Sequence, residues 1–406
     1  MSSGVTLARW ARGVAPSALQ RMLEAAAAPD VLSLSLGLPA AELFPCDALA
    51  DAARAVLAAP RTLQYGMPSA ALKRHVVRLM RDRGVACDED EIFLTSGAQQ
   101  GIQLLARLLL EPGGRIVTDS LTYTGFLQAV QPMTPSIAAV PIDAERGPDL
   151  ARLADVLASD ERPAFIYAMA DGHNPLGESL SAAQRQRLVD LARAHGVPVV
   201  EDGAYAFLQY EDAAPPPLRA LDREWVLHVG SFSKILGPTC RVGWIVAPPA
   251  LMGPLSILKE SMDINTATLS QHTVCRLLET MSFDEHVARL REAYRTRRNA
   301  MRAALASELP AGARWRTPAC GFFFWIDVPG LDASVLLEHA LAVERTAFVP
   351  GEAFSADGVR RAVSCLRLSF SNAPIDRMAD GVARLARAMR RAPVEDHRAH
   401  DHLQPS

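Results

Sequence analysis

The pattern of apolar and polar positions changes period along the chain. Val31–Pro39 (VLSLSLGLP) alternates and then breaks at Gly37 and Pro39, which predicts a short strand running into a loop. Upstream, residues 1–30 are Ala-rich from Leu19 to Ala28 and predict a helix-forming arm. From about residue 70, helical stretches alternate with short apolar runs. Helices are predicted over Leu72–Arg83, Gln99–Leu110 and Leu180–His195, the last with Ser181 as N-cap and Gly196 as its C′ residue. Strands are predicted at Glu91–Thr95, Arg115–Thr118, Ala138–Pro141, Ala164–Met169, Val197–Glu201, Trp225–Gly230 and Trp244–Ala247. After Ser282 the pattern predicts a long charged helix, Asp284–Ala306. Strands Phe322–Asp327, Ala347–Pro350 and Leu366–Ser369 follow, then a closing helix near Arg377–Arg390.

Strands alternating with helices predict an α/β fold: a large domain with a mostly parallel central sheet flanked by helices, plus a smaller α+β domain. The expected boundaries are an N-terminal arm and loop at 1–45, a large domain at 46–289, a small C-terminal domain at 290–392 and a disordered polar tail at 393–406. There is no internal repeat.

Composition narrows the function classes. The 406 residues are 49% hydrophobic and 21% charged, ordinary for a globular chain, with a formal net charge of −3. That balance gives no electrostatic case for nucleic acid or an anionic membrane surface. No apolar run is long enough to span a membrane, and MSSGVTLARWARG lacks the apolar core of a signal peptide. Cys46, Cys87, Cys240, Cys275, Cys320 and Cys365 form no C-x-x-C pair, so free thiols in a reducing cytoplasm are expected, with no metal site. The histidines of the tail, His397, His400 and His402, read as part of a polar segment rather than as ligands.

Five short stretches carry candidate chemistry. In Ser231-Phe232-Ser233-Lys234, a lysine at a strand end is placed to form an imine with a carbonyl compound. Ser231, Ser233 and Arg241 are placed to bind a phosphate dianion; a surface turn with incidental charges fits the same residues. In Glu201-Asp202-Gly203-Ala204-Tyr205, a strand-end carboxylate can keep a pyridine nitrogen protonated, or can serve as a helix cap. In Thr95-Ser96-Gly97-Ala98-Gln99-Gln100, a strand–turn–helix aims free N–H groups at an anion, although a plain connection fits nearly as well. Asn174-Pro175-Leu176-Gly177 is a turn that presents an amide. Arg367, inside a strand, calls for an anion, whether a substrate carboxylate or a structural partner.

Taken together and in this order, these motifs resemble the fold-type I enzymes that use pyridoxal 5′-phosphate (PLP). More narrowly they resemble the class I/II aminotransferases, near the kynurenine/2-aminoadipate branch, from about Leu32 to Arg387. The resemblance implies that Lys234 holds PLP as the internal aldimine and later moves the proton in a ping-pong transamination. Asp202 then pairs with the ring nitrogen, Asn174 and Tyr205 contact the phenolic oxygen, and Tyr123 stacks on the ring. Ala98, Gln99, Ser231, Ser233 and Arg241 match the phosphate cup, and Tyr65 matches the tyrosine that reaches a neighbouring subunit's phosphate in a homodimer. Arg367 matches the anchor of the substrate α-carboxylate, and Gly37 the loop that covers the substrate.

The sequence departs from the family pattern where substrate or reaction choice is made. His173 and Leu176 stand where Gln and Thr are usual, Leu36 precedes Gly37, and the loop after Tyr65 is short, with Pro68 near a customary glycine. His173 is therefore carried as a substrate-contact candidate. The rival reaction class is another PLP reaction on an amino acid, such as β/γ-replacement, cyclisation or oxidation. A transcription regulator built on this fold would need a DNA-binding domain ahead of residue 30, and none is expected.

Overall fold

The computed structural model describes residues 6–13, 28, 30–211 and 215–391. Within the expected arm, Arg9–Gly13 forms a short 3-10 helix, while the Ala-rich stretch from Leu19 lies outside the described residues except for Ala28, as does the tail from Pro393.

A seven-stranded sheet forms the frame of the larger part. Its strands are β1 (Ile92–Thr95), β2 (Arg115–Asp119), β3 (Ser136–Val140), β4 (Ile166–Ala168), β5 (Val199–Asp202), β6 (Val226–Ser231) and β7 (Gly243–Val246), in spatial order β1-β7-β6-β5-β4-β2-β3. Only β7 runs against the others, pairing antiparallel with both β1 and β6. Helices cover both faces, so the central strands are apolar without alternation: Val199, Val200, Val226 and Val229 are all essentially inaccessible. Each such side chain contributes about 1.5–3 kcal/mol on leaving water.

The helices follow local signals closely. Ala182–His195 starts at Ser181, whose hydroxyl accepts from the Gln184 amide while Gln184 reaches back to the Ser181 amide. It stops at Gly196, which takes the left-handed conformation (φ 64°). Ala70–Asp82 is capped by Ser69 and buries Leu72, Val76, Val77, Leu79 and Met80 along one face.

A second, antiparallel sheet is built from β8 (Arg314–Trp315), β9 (Phe323–Asp327), β10 (Val349–Pro350) and β11 (Cys365–Ser369), in order β8-β9-β11-β10. The long helix Phe283–Glu308 ties the two parts together. Arg291 Nε donates to the Phe207 carbonyl, and Arg297 Nη1 donates to the carbonyls of Ser371 and Ala373. The single strand expected over Ala347–Pro350 is split instead. Thr346–Ala347 pairs in parallel with Leu32–Ser33, while Val349–Pro350 pairs with β11, because the chain turns from one sheet to the other at the fully buried Phe348. The N-terminal segment is thereby fastened beside β11, with the Ser369 amide donating to the Leu34 carbonyl. That places the loop at Gly37 over the ends of the large-sheet strands.

Candidate active site

The carboxyl ends of β1, β4, β5 and β6 converge on one cavity of about 260 Å³, the usual position for a ligand in a sheet of this kind. From the large part, Ala98, Gln99, Tyr123, Asn174, Asp202 and Tyr205 line it. Ser231, Ser233, Lys234 and Arg241 line it as well, and the loop at Gly37 and Arg367 of β11 close it. Two candidates stand apart. His173 is buried outside the wall, its Nε2 3.3 Å from Asp119 Oδ2 in a geometry that makes no hydrogen bond. Tyr65 is 78% exposed and does not line this chain's own cavity.

Each functional side chain is set by the strand that carries it. Lys234 follows β6 and donates from Nζ to the Gly37 carbonyl at 2.8 Å. Burial, and then the nearby Arg367 guanidinium, pull its pKa from 10.5 down to about 8, against the pull of Asp202. Asp202 ends β5. Its Oδ2 accepts from the Tyr167 phenol at 2.7 Å and its Oδ1 from the Ala204 amide at 3.0 Å. Burial raises its pKa, while these two bonds, then His228 and Lys234, oppose the rise. Burial likewise pushes the Tyr123 phenol up to about 12, with the Asp202 charge adding to it.

At the other end of the cavity is an anion cradle. Arg241 Nη2 donates to the Ser96 carbonyl at 2.7 Å, and Nη1 reaches Ser233 Oγ at 3.5 Å. Ser231 Oγ donates to Ser233 Oγ at 2.9 Å. The helix Ala98–Leu109 begins here with its free amides and positive dipole end. Gly97, at φ 90°, is needed for this approach: a Cβ there would sit 2.6 Å from Arg241 Nη2.

Arg367 supplies the second anion site. Its Nη1 donates to Asn174 Oδ1 at 2.6 Å and its Nη2 to the Ser35 carbonyl at 2.7 Å, with the guanidinium 4.1 Å from the Phe323 ring centre. Nε is buried with no hydrogen-bond partner. Burial lowers the group to about 10, partly offset by Tyr205 and Tyr123. A buried guanidinium held by neutral oxygens is poised for a carboxylate. These residues fit PLP: a weakly basic amine, a buried carboxylate, a ring partner and a phosphate cradle share one cavity.

The apolar wall of Leu36, Leu38, Met169, Phe323, Val349 and Phe354 is assembled from distant segments and leaves no local signal in the sequence. Tyr167, outside the five stretches, does leave one. A tyrosine inside a fully buried strand must find a polar partner for its hydroxyl, and that signal was present in the sequence. Outside the site, His75, Cys275 and Glu279 cluster at metal-ligand spacing. However, Arg78 donates to His75 Nδ1, where a metal-bound imidazole must either bind the ion or donate. Among the described residues no helix is long and apolar enough to cross a membrane.

The sequence profile of the family "Aminotransferase class I and II" matches residues 29–385. The chain is 36% identical to a 2-aminoadipate transaminase of Thermus thermophilus over 92% of this chain and 94% of that one. It is 34% identical to aromatic-amino-acid aminotransferase 1 of Thermococcus litoralis, over 94% and 93%. Among solved structures, an alpha-aminoadipate aminotransferase from Thermus thermophilus complexed with N-(5′-phosphopyridoxyl)-L-leucine superposes with a TM-score of 0.87 at 35% identity, covering 95% of this chain and 97% of that one. The kynurenine aminotransferase of Pyrococcus horikoshii gives a TM-score of 0.89 at 30% identity, covering 95% and 96%.

Proposed function

The chain belongs to the class I and II aminotransferases, and from that premise we propose that Lys234, Asp202, Asn174, Tyr205 and Arg367 form its amino-transfer centre, acting on amino acids with large apolar side chains. It is a PLP-dependent enzyme of fold type I, and its reaction is amino-group transfer between small molecules. The observation that carries the residue assignment is the meeting of Arg367, Asn174, Lys234 and Asp202 in one cavity.

PLP, when bound, supplies an electron sink for the bond broken at the substrate's Cα. Arg367 and Asn174 bind the substrate α-carboxylate and so fix which Cα bond faces the ring. Lys234 Nζ, whose basicity burial lowers, would accept the substrate's Cα proton and give it back during amino transfer. With PLP bound, Asp202 would hold the proton at the ring nitrogen, and Tyr205 and Asn174 would donate to the phenolic oxygen. Tyr123 would stack on the ring, while Ser231, Ser233, Arg241 and the first amides of the helix at Ala98 would hold the phosphate. The loop at Gly37 excludes water.

The side-chain preference rests on charge accounting. The charged residues of the wall are Lys234, Asp202, Arg241 and Arg367, and each already has a role. Among the described residues no further cation faces the cavity, whereas Leu36, Leu38, Phe323 and Phe354 do. Mixing the holoenzyme with single amino acids, and following both the cofactor's visible absorbance and the 2-oxo acid by mass, tests this. Phenylalanine and leucine are expected to exceed aspartate; faster conversion of the acidic donors would overturn the preference.

We further propose a homodimer. Leu63, Tyr65 and Met67 are 65%, 78% and 86% exposed on one short segment. That segment is held by Asn265 Nδ2 donating to the Gly66 carbonyl, and Ile264 and Leu269 are exposed nearby. So much exposed apolar surface suits burial against a second copy, with Tyr65 reaching the partner's phosphate site. The expected compartment is the cytoplasm.

A further inference from the structure

Tyr167 lies in β4 beside β5, one strand away from Asp202, and is fully buried. Its ring is stacked on Phe126, with centroids 3.8 Å apart and planes 4° from parallel. Its hydroxyl has one directed use: it donates to Asp202 Oδ2 at 2.7 Å. The other carboxylate oxygen, Oδ1, accepts from the Ala204 amide. Asp202 is therefore fixed at both oxygens, by one backbone donor and by one side-chain donor that Tyr167→Phe removes.

We propose that Tyr167 is a positioning residue for amino transfer: its phenol keeps Asp202 ionised and aimed at the cofactor's ring nitrogen, and so sets how firmly that nitrogen keeps its proton. The proposal rests on the reading of Asp202 given above. A carboxylate buried among apolar side chains tends to take up a proton, and a hydrogen bond donated to the charged form opposes this. Without that bond Asp202 becomes the stronger base and draws the proton from the ring nitrogen towards itself. The ring then withdraws fewer electrons, and the substrate Cα proton becomes less acidic.

The other charges around the pair do not substitute for the phenol. His228 and Lys234 both lower the Asp202 pKa by their charge, without a hydrogen bond to it. His228 is engaged elsewhere, its Nδ1 2.8 Å from Glu201 Oε2. Tyr123 and Asp119 are the remaining titratable groups that act on Tyr167. Phe126 supplies only packing.

Tyr167→Phe in the holoenzyme isolates the hydroxyl, because the ring and its stack on Phe126 remain. The readouts are the pH midpoint of the bound cofactor's visible absorption and the separate kcat and KM for one amino donor. The variant is expected to raise the midpoint by about half a unit or more and to lower kcat about tenfold, with KM nearly unchanged. Both effects are expected to vanish in an Asp202→Asn background, where there is no carboxylate to tune. An unmoved midpoint in Tyr167→Phe, or an equal loss of kcat in the Asp202→Asn background, would show that Tyr167 acts through packing alone and overturn the proposal. If instead Asp202→Asn by itself leaves the midpoint and kcat unchanged, the reading of Asp202 falls and the proposal with it. Should Asp202→Asn not retain cofactor, the midpoint of the single Tyr167→Phe variant decides.

Discussion

Arg367 Nη1 donates to Asn174 Oδ1 at 2.6 Å, joining the small antiparallel sheet to the end of β4 across the cavity. The amide leaves the guanidinium its charge, and the pair presents both a cation and a fixed donor geometry to a carboxylate.

Arg367→Lys should therefore lower kcat/KM about 100-fold, since two charge-assisted hydrogen bonds of roughly 1.5 kcal/mol each depend on the planar fork. Stacking on Phe323 at 4.1 Å is lost at the same time. Steady-state kinetics with one donor, alongside a thermal melt to confirm folding, check this. A change of less than threefold would remove Arg367 from substrate binding.

The Lys234 amine is held at about 8 rather than 10.5 in the ligand-free protein. Its neutral, nucleophilic form reaches half at about pH 8 and levels off about a unit higher. The rate at which apoprotein takes up PLP should follow that curve; a rate still climbing steeply past pH 9 would contradict it. The stability consequence has a definite sign. Between about 8 and 10.5 the unfolded chain keeps a proton on this lysine that the folded chain has lost, so the apoprotein gains stability as pH rises through that window. Below 8 both states are protonated and this contribution is flat, at its least favourable.

Local signals made much of this legible. The Ser181 cap, the Gly196 stop and the apolar runs of β4 to β6 each reflect a physical demand within a few residues. Asp202, Lys234 and Asn174 are each ambiguous in their own stretch and stand out only through the joint order of the motifs; the parallel sheet brings them to one cavity because its strand ends collect at one edge. The split of residues 346–350 between two sheets was not legible, since two-residue strands leave no periodicity to read. Nor was the partnership of Tyr167 with Asp202 over 35 positions, because strand neighbours are set by topology.

His173 sits where the family usually has Gln, and its Nε2 is 3.3 Å from Asp119 beneath the site rather than in its wall. His173→Gln should then change kcat by less than about threefold, whereas Asn174→Ala, which removes Arg367's partner, should cost about tenfold or more. Comparing the two variants on the same donor separates them. A larger loss in His173→Gln would restore His173 to the reacting centre.

Tyr65→Phe keeps the exposed ring and removes only the hydroxyl that is expected to reach a partner's phosphate site. PLP affinity should fall about tenfold, with the size of the particle in light scattering unchanged. Unchanged affinity in a protein that is dimeric would detach Tyr65 from the cofactor, and a monomer would remove the shared site altogether.

The phosphate cradle depends on a backbone position as much as on charge. Gly97 stands at φ 90°, and an added Cβ would lie 2.6 Å from Arg241 Nη2 and 3.0 Å from Cζ. Gly97→Ala must either push the guanidinium away or deform the turn that opens the helix at Ala98. A side chain in that conformation also costs about 1–3 kcal/mol of backbone strain. The variant is expected to melt at lower temperature as apoprotein and to bind PLP at least about tenfold more weakly. Arg241→Ala, which removes the charge but leaves the turn, should weaken PLP binding without the apoprotein loss. If Gly97→Ala bound PLP normally, Arg241 would not be the group that the turn is shaped to admit.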